Sequence, residues 1–96
     1  MADPVAAQTP GSAVRVLQVR YFAGAAAAAG TGEEPVQLAP GTDAAGLREE
    51  LVRRHPGLEQ VLRVATLLVD GVASSDPAAL LDEATQVDVL PPFAGG

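Results

Sequence analysis

The pattern of apolar residues along the chain predicts four β-strands. The four segments are residues 14–21, 36–39, 64–69 and 86–90, the last of which reads QVDVL. The first segment is rich in β-branched residues, which is typical of a strand buried on at least part of both faces. Asp70 and Gly71 directly follow the third segment and are a signal for a hairpin turn. In the fourth segment, Val87 and Val89 share one face of the strand.

Two helices are predicted between the first three strands. The alanine-rich stretch AGAAAAAG, residues 23–30, favours a short helical turn because alanine has the highest helix propensity. The apolar residues on one face of the second helix are Ala44, Leu47 and Leu51, with Leu58 as a further candidate. Thr42 is placed to cap the start of this helix, and Asp43 is favourable to the helix dipole. The helix is predicted to end at His55, because the proline that follows disfavours the α conformation there.

The order of the predicted elements is strand, short helix, strand, long helix, strand, loop, strand. This order is typical of an α+β domain, in which a mixed sheet of four to five strands carries helices packed on one face. We expect that domain to span residues 13–90. Residues 1–12 contain two prolines, small residues and no periodicity, which predicts a disordered leader. Residues 91–96 are predicted to form a flexible C-terminal tail.

Composition narrows the classes of function. A chain of 96 residues suggests one domain, and the absence of cysteine excludes a disulfide framework and a thiolate metal site. The net charge of −6 argues against nucleic acid and anionic membranes as partners, and favours a partner with a basic surface. All six basic residues are arginine. With no apolar run long enough to span a bilayer and no secretory signal pattern, we expect a cytoplasmic protein.

An enzyme needs a nucleophile, an acid–base group or a metal site, and this chain offers few candidates. His55 is the only histidine, and we expect it to be exposed near the carbonyl end of a helix. The acidic pairs are Glu33-Glu34, Glu49-Glu50 and Asp82-Glu83. Adjacent side chains diverge in direction, so each pair is expected to be solvated charge rather than a metal site. The sequence therefore predicts no autonomous catalysis and no bound metal.

The C-terminal segment VDVLPPFAGG suggests a different kind of site. Pro91 and Pro92 lack N–H donors, so they are expected to end the pairing of the last strand directly after Leu90. The two prolines also stiffen the backbone, so the chain is expected to leave the domain in an extended conformation. The six residues from Pro91 onward can span up to about 20 Å. The segment therefore resembles a stalk that reaches away from the domain.

The last four residues of that stalk suit delivery of a carboxylate into another protein. Phe93 provides one apolar anchor and is followed by Ala94. Gly95 and Gly96 have no side chains that would block a narrow channel. An α-carboxylate is ionised at neutral pH, and it can attack an activated phosphate to give an acyl adenylate. Such a mixed anhydride is then open to a sulfur nucleophile or an amine.

Four segments of the chain match those of one known family. They are VRVLQVRYFA, TDAAGLREELVRRHP, LLVDG and VDVLPPFAGG, which together span roughly residues 14–96. They resemble the MoaD/ThiS family of ubiquitin-like sulfur carriers, and most closely the branch that supplies the small subunit of molybdopterin synthase. The Pro-Pro-x-x-Gly-Gly ending is the most specific part of the match. The resemblance implies a ubiquitin-like β-grasp fold.

The resemblance also implies a function. An ATP-dependent activating enzyme would adenylate Gly96, and a persulfide would convert the acyl group to a thiocarboxylate. The chain would then dock on the large subunit of molybdopterin synthase and donate sulfur to a pterin precursor. The residues that would bind the partner are Pro91, Pro92, Phe93, Ala94 and Gly95, with Gly95 as the narrow neck. The resemblance implies no permanently bound cofactor, because the activating enzyme consumes the ATP.

Three features depart from the family pattern. The turn before the last strand is EATQV, residues 83–87, and lacks the usual glycine. The first helix has no charged residues, and the leader is additional. Two alternatives therefore remain open at this point. The chain could carry sulfur for thiamine, cysteine or another metabolite, or it could be a ubiquitin-like interaction or modifier protein that never carries sulfur.

Overall fold

A computed structural model describes residues 14–92 of the chain. The strands are β1 (Arg15–Tyr21), β2 (Glu33–Leu38), β3 (Thr66–Val69), β4 (Val72–Ser74) and β5 (Gln86–Leu90). The helices are α1 (Gly24–Ala29), α2 (Ala44–Arg54) and α3 (Leu58–Val64). The predicted leader at 1–12 and the final tail residues 93–96 lie outside the described residues.

The strands form one mixed sheet in the order β2-β1-β5-β3-β4. The two strands furthest apart in sequence, β1 and β5, are parallel, and every other neighbouring pair is antiparallel. Val19 is aligned with Val87, and Val87 in turn with Val69. The prediction of a mixed sheet of four to five strands is confirmed, and the sheet has five strands. The last strand, β5, therefore lies in the middle of the sheet.

All three helices pack on one face of this sheet, as predicted. Alternate residues of β1 and β5 point toward them, because successive side chains on a strand alternate between faces. The buried residues of the core include Leu17, Val19, Tyr21, Leu67, Val87 and Val89 from the sheet, and Leu47, Leu51, Leu58 and Leu62 from the helices. Within residues 14–92, no helix has the length and apolar character needed to cross a membrane.

The predicted short helix after β1 is confirmed as α1. Its buried residues, Ala25 and Ala29, lie one turn apart and contribute to the core. Packing rather than intrinsic propensity stabilises a helix of this length. Gly30 ends it in the left-handed conformation, with φ of 77°, which glycine adopts without a steric cost.

The start of α2 differs from the prediction by one residue. Asp43, not Thr42, caps the helix, because its Oδ1 accepts a hydrogen bond from the Gly46 N–H at 2.8 Å. The Thr42 hydroxyl instead donates to the Ala39 carbonyl at 2.7 Å, within the preceding turn. Both residue types are good N-caps, so local preference alone did not distinguish them.

The third helix was not predicted, and the strand expected from residue 64 begins instead at Thr66. Residues 58–64 form α3, with Leu58 and Leu62 buried one turn apart. Leu58 therefore belongs to a separate helix and does not extend the face of α2. Val64 favoured a strand, but it forms the last residue of α3, whose two leucines pack in the core.

The hairpin predicted at Asp70-Gly71 is confirmed. Both residues have positive φ, 49° and 87°, and they connect β3 to β4. The strand β4 lies in a segment that was expected to be a loop. The Asp70 carboxylate accepts hydrogen bonds from the Thr85 and Gln86 N–H groups, at 3.1 and 3.0 Å. This contact connects the hairpin to the start of β5.

Candidate functional site: the tail root and the surfaces beside it

The tail departs from the central strand of the sheet. Leu90, the last residue of β5, is aligned with Thr66, and Pro91 and Pro92 follow outside regular structure. The predicted end of strand pairing at the prolines is therefore confirmed. The Phe22 N–H donates to the Val89 carbonyl at 3.2 Å, which extends the contact with β1 to the end of β5. We call Leu90, Pro91 and Pro92 the tail root.

The tail root gives the tail a rigid base. Backbone hydrogen bonds hold β5 on both sides, since it pairs with β1 and with β3. Interior strands of this kind are among the elements that open least readily. Of the predicted site residues, Pro91 and Pro92 are described. The other four, Phe93, Ala94, Gly95 and Gly96, lie outside the described residues.

A cluster of polar side chains lies on the helix side of the sheet, at the same end as the tail root. Glu34 Oε2 accepts a hydrogen bond from the Tyr21 hydroxyl at 2.6 Å and lies 2.7 Å from His55 Nε2. Arg54 Nη1 lies 3.5 Å from Glu34 Oε1 and donates to the Pro35 carbonyl at 3.3 Å. The rings of Tyr21 and His55 meet edge to face, with centroids 6.0 Å apart.

This cluster corrects two expectations. The His55 side chain is only 21% exposed, because it packs against Tyr21 and pairs with Glu34. Glu34 is not solvated charge, since three side chains converge on its carboxylate. Burial alone would raise the pKa of Glu34, but hydrogen bonds from Tyr21 and His55 outweigh burial and hold that pKa below its ordinary value. Burial and the hydrogen bond to Glu34 raise the pKa of Tyr21 well above its usual range.

The raised pKa of Tyr21 predicts coupling between its ionisation and unfolding. The unfolded chain would ionise tyrosine near its ordinary pKa of about 10, whereas the folded chain resists ionisation. The contribution of Tyr21 to stability is therefore complete below about pH 10 and is lost as the pH rises above that value. Tyr21 is the only tyrosine and there is no tryptophan, so tyrosinate absorbance reports on this residue alone. We expect absorbance and far-UV circular dichroism to change together in an alkaline titration.

The control for this titration is Glu34→Gln, which removes the negative charge beside the phenol. In that variant, tyrosinate should form at lower pH than in the wild-type chain. Reversible ionisation near pH 10 in a wild-type chain that stays folded would contradict the structure of the cluster.

The other face of the sheet is not covered by a helix in the described part of the chain, and we call it the open face. Residues of the three central strands on this face are Val16, Gln18, Arg20, Thr66, Leu68, Gln86, Asp88 and Leu90. Val16 is largely exposed. At the centre, Arg20 Nε and Nη2 donate to the two carboxylate oxygens of Asp88, at 2.9 and 3.2 Å. The open face is continuous with the tail root, because Leu90 belongs to both.

The described residues contain no arrangement suited to independent catalysis. Within residues 14–92, no group of three His, Asp or Glu side chains is placed to hold a metal ion. A groove of about 700 Å³ lies between α2, α3 and residues 74–77, with Val52 and Leu62 in its lining. Its hydroxyls, on Ser74 and Ser75, have no histidine beside them, because the only histidine is not part of the lining.

The sheet order, the helices on one face and a tail that leaves the central strand define a ubiquitin-like β-grasp protein. The model of the ThiS family matches residues 19–96, which is most of the chain. The chain therefore belongs to the ThiS family, within the MoaD/ThiS-like sulfur carriers that its sequence resembles.

Individual relatives agree with this family. A molybdopterin synthase sulfur carrier subunit from Caenorhabditis briggsae is 31% identical over 81 residues, which is 83% of this chain and 96% of that protein. SAMP1, a small archaeal modifier protein from Haloferax volcanii, has a similar fold, with a TM-score of 0.75 and 21% identity over 85% of this chain and all of that one. A chain from the complex of subunits 1 and 2 of molybdopterin-converting factor from Helicobacter pylori has a TM-score of 0.62 and 18% identity, over 85% of this chain and all of that one.

Sequence reasoning missed the interactions that surround the tail root. It treated Glu34 and His55 separately, although they are in contact. It did not single out Arg20 or Asp88, which are 68 residues apart and meet only through the parallel pairing of β1 and β5. Alternation places Asp88 on the face opposite Val87 and Val89, so its burial and its partner could not be inferred from QVDVL alone.

Proposed function

We propose that this chain is the sulfur carrier subunit of a molybdopterin synthase and that the carboxylate of Gly96 carries the sulfur. The observation that carries this proposal is the family match, which continues through Gly96 along a tail rooted on the central strand. The relative from Caenorhabditis briggsae, named as the sulfur carrier subunit of that synthase, supports the choice of pathway.

The proposed chemistry takes place on a single carboxylate. An activating enzyme binds ATP, and an oxygen of the Gly96 carboxylate attacks the α-phosphate and displaces pyrophosphate. The sulfur of a protein persulfide then attacks the acyl carbon and displaces AMP, which leaves an acyl disulfide. A second thiol reduces that disulfide and releases the thiocarboxylate. In the synthase, the thiocarboxylate sulfur attacks a carbon of the pterin precursor and displaces an oxygen substituent, which gives an acyl thioester. Water then cleaves the acyl–sulfur bond, which leaves the sulfur on the pterin and restores the carboxylate.

The described geometry suits this carrier role. The tail root is held by pairing of β5 on both sides, so the start of the tail is fixed relative to the open face. Pro91 and Pro92 cannot donate backbone hydrogen bonds, which keeps the following segment from adding to the sheet. Gly95 and Gly96 present the smallest possible cross-section to a partner's channel. We propose that the open face and the tail together bind the partner.

We propose two partners and no resident cofactor. The activating enzyme supplies the ATP-binding site, and the large subunit of the synthase receives the thiocarboxylate. A fold similar to this one occurs in the complex of two subunits from Helicobacter pylori, which supports pairing with a large subunit. We propose that these reactions take place in the cytoplasm.

A reconstituted reaction tests the proposal. Purified chain bearing a chemically prepared thiocarboxylate is combined with the large subunit from the same organism and the pterin precursor, and molybdopterin is measured by its fluorescent oxidation product. We expect product in proportion to the thiocarboxylate supplied. The matched control is the same chain with an ordinary carboxylate, which should yield none. Absence of product from a thiocarboxylated chain that binds the large subunit would exclude this pathway.

A second function uses the same activated carboxylate. The fold is similar to that of a small archaeal modifier protein, with a TM-score of 0.75, which supports conjugation to other proteins as an alternative. Isopeptide-linked adducts would form in that case when activated chain is mixed with cell extract. The chain has no lysine, so such adducts could not be lysine-linked chains of this protein on itself.

A further inference from the structure

The open face carries a charged pair at its centre, and Glu33 of β2 is aligned with Arg20 beside it. The Asp88 side chain is only 9% exposed, while the Arg20 side chain is 42% exposed. Gln86 Nε2 donates a further hydrogen bond to Asp88 Oδ1 at 3.3 Å. The carboxylate is therefore satisfied within the chain, and the guanidinium is the part of the pair that faces outward.

The guanidinium of Arg20 is held in one orientation but is only partly used. Two of its five N–H groups donate to Asp88, which leaves both N–H groups of Nη1 and one of Nη2 free of that pair. The guanidinium carbon lies 5.3 Å from the centroid of the Phe22 ring, so the group also packs over an aromatic face. A fork that is already ordered loses little side-chain entropy when it makes a further contact.

The position of this fork connects it to the tail. Phe22 is joined to the end of β5 by the hydrogen bond to Val89, and Leu90 lies in the tail root. Among the residues of β1, β5 and β3 on the open face, Arg20 is the only cation. Any protein that covers this face while holding the tail would bury the free edge of Arg20. Glu33 is aligned with Arg20 on β2, but the hydrogen bonds of the Arg20 side chain within the described residues go to Asp88 alone. Buried N–H donors without acceptors are costly, so we expect that protein to supply an acceptor oxygen.

We propose that Arg20 is a specificity-determining contact for the large subunit of the synthase, which covers the open face with an apolar surface and directs an acceptor oxygen at the free edge of Arg20. In this assignment Asp88 is a positioning residue, because it orients the guanidinium without facing the partner. The inference rests on the proposed function, since it takes the large subunit as the occupant of the face.

A purely structural role for the pair gives a different expectation. An ion pair with a half-exposed member contributes little to stability, and apolar residues at the same positions often serve the fold as well or better. If the pair served only the fold, any variant that restored it within the chain would restore partner binding. Charge exchange between the two positions therefore distinguishes the two roles.

The experiment measures the Kd for the purified large subunit by isothermal titration calorimetry. Two double variants are compared with the wild-type chain, R20Q/D88N, which removes both charges, and R20D/D88R, which exchanges them. We expect each to weaken binding by about 10- to 100-fold, the range for loss of a buried charged contact. The matched control is E59Q/R63Q, which removes an exposed ion pair on α3 and should leave the Kd unchanged.

Circular dichroism confirms that each variant is folded, and R20K provides a further test because it keeps the charge and replaces the fork with a single ammonium. R20K is expected to weaken binding, since an ammonium does not reproduce the fork geometry. Wild-type affinity in R20D/D88R, or in R20Q/D88N if the exchanged variant does not fold, would overturn the assignment of Arg20. Failure of the wild-type chain to bind the large subunit would overturn the proposed function, and the assignment of Arg20 with it.

Discussion

Deletion of Gly96 is expected to abolish sulfur transfer and to leave the free energy of unfolding unchanged. Gly96 would itself carry the acyl group. Without it, the terminal carboxylate would lie one residue earlier in the chain and would no longer reach the same point in a partner's site. A displacement of even about 1 Å at a reacting centre can cost about 100-fold in rate. Transfer is measured as molybdopterin formed with the large subunit, and stability by urea unfolding followed by circular dichroism.

Gly95→Val tests whether the partner's channel requires a narrow tail, separately from the length of the tail. The branched side chain widens the tail next to the reacting carbon, so we expect loss of activation or transfer by about 100-fold or more, again with unchanged stability. Deletion of residues 1–12 is the control, because the family match begins at residue 19 and the shortened chain should retain activity. Full activity after deletion of Gly96 would exclude the carrier function.

Leu51→Ala is expected to have the opposite effect. It should greatly lower the free energy of unfolding, whereas the molecules that remain folded should still accept and transfer sulfur. Leu51 is a completely buried residue of α2 and belongs to the core that also contains residues of β1 and β5. Truncation of a buried leucine costs about 2–5 kcal/mol of unfolding free energy, through lost apolar burial and the cavity left behind. In a domain of this size the Tm should fall by about 10 °C or more.

The matched control is Glu49→Ala, a change at an exposed position of the same helix. It should alter the unfolding free energy by no more than about 0.5 kcal/mol. At a temperature where Leu51→Ala remains folded, the variant should accept sulfur at the wild-type rate, because the proposed chemistry takes place on the Gly96 carboxylate and does not use the Leu51 side chain. A folded Leu51→Ala chain that cannot be activated would show that the core and the tail are not separable.

The sequence predicted correctly those helices and strands whose apolar residues repeat at the spacing of the element within a short segment. Leu47 and Leu51 are one turn apart on α2, and both are fully buried as expected. The valines at 87 and 89 lie on the core side of β5. The helix α3 was missed because Leu58 was considered only as an extension of α2, across the Pro56-Gly57 break, and the strand predicted from residue 64 begins two residues later.

The contacts around the tail root could not be predicted from local pattern, because each joins distant parts of the chain. Glu34 meets His55 across 21 residues, and Arg20 meets Asp88 across 68. Ala23 is a further case, since its φ of 51° is unusual for a residue with a Cβ and is imposed by the turn from β1 into α1. The end of strand pairing at Pro91 and Pro92 was predictable for the opposite reason, because proline lacks a backbone N–H whatever its surroundings.

The central claim, that Gly96 becomes a thiocarboxylate, is tested most directly by intact-mass spectrometry. The purified chain is incubated with the activating enzyme, ATP and a persulfide sulfur donor, beside a known carrier treated in the same way. We predict a mass increase equal to the difference between one sulfur and one oxygen atom, located on the C-terminal peptide. An unchanged mass, under conditions that convert the known carrier, would contradict the claim.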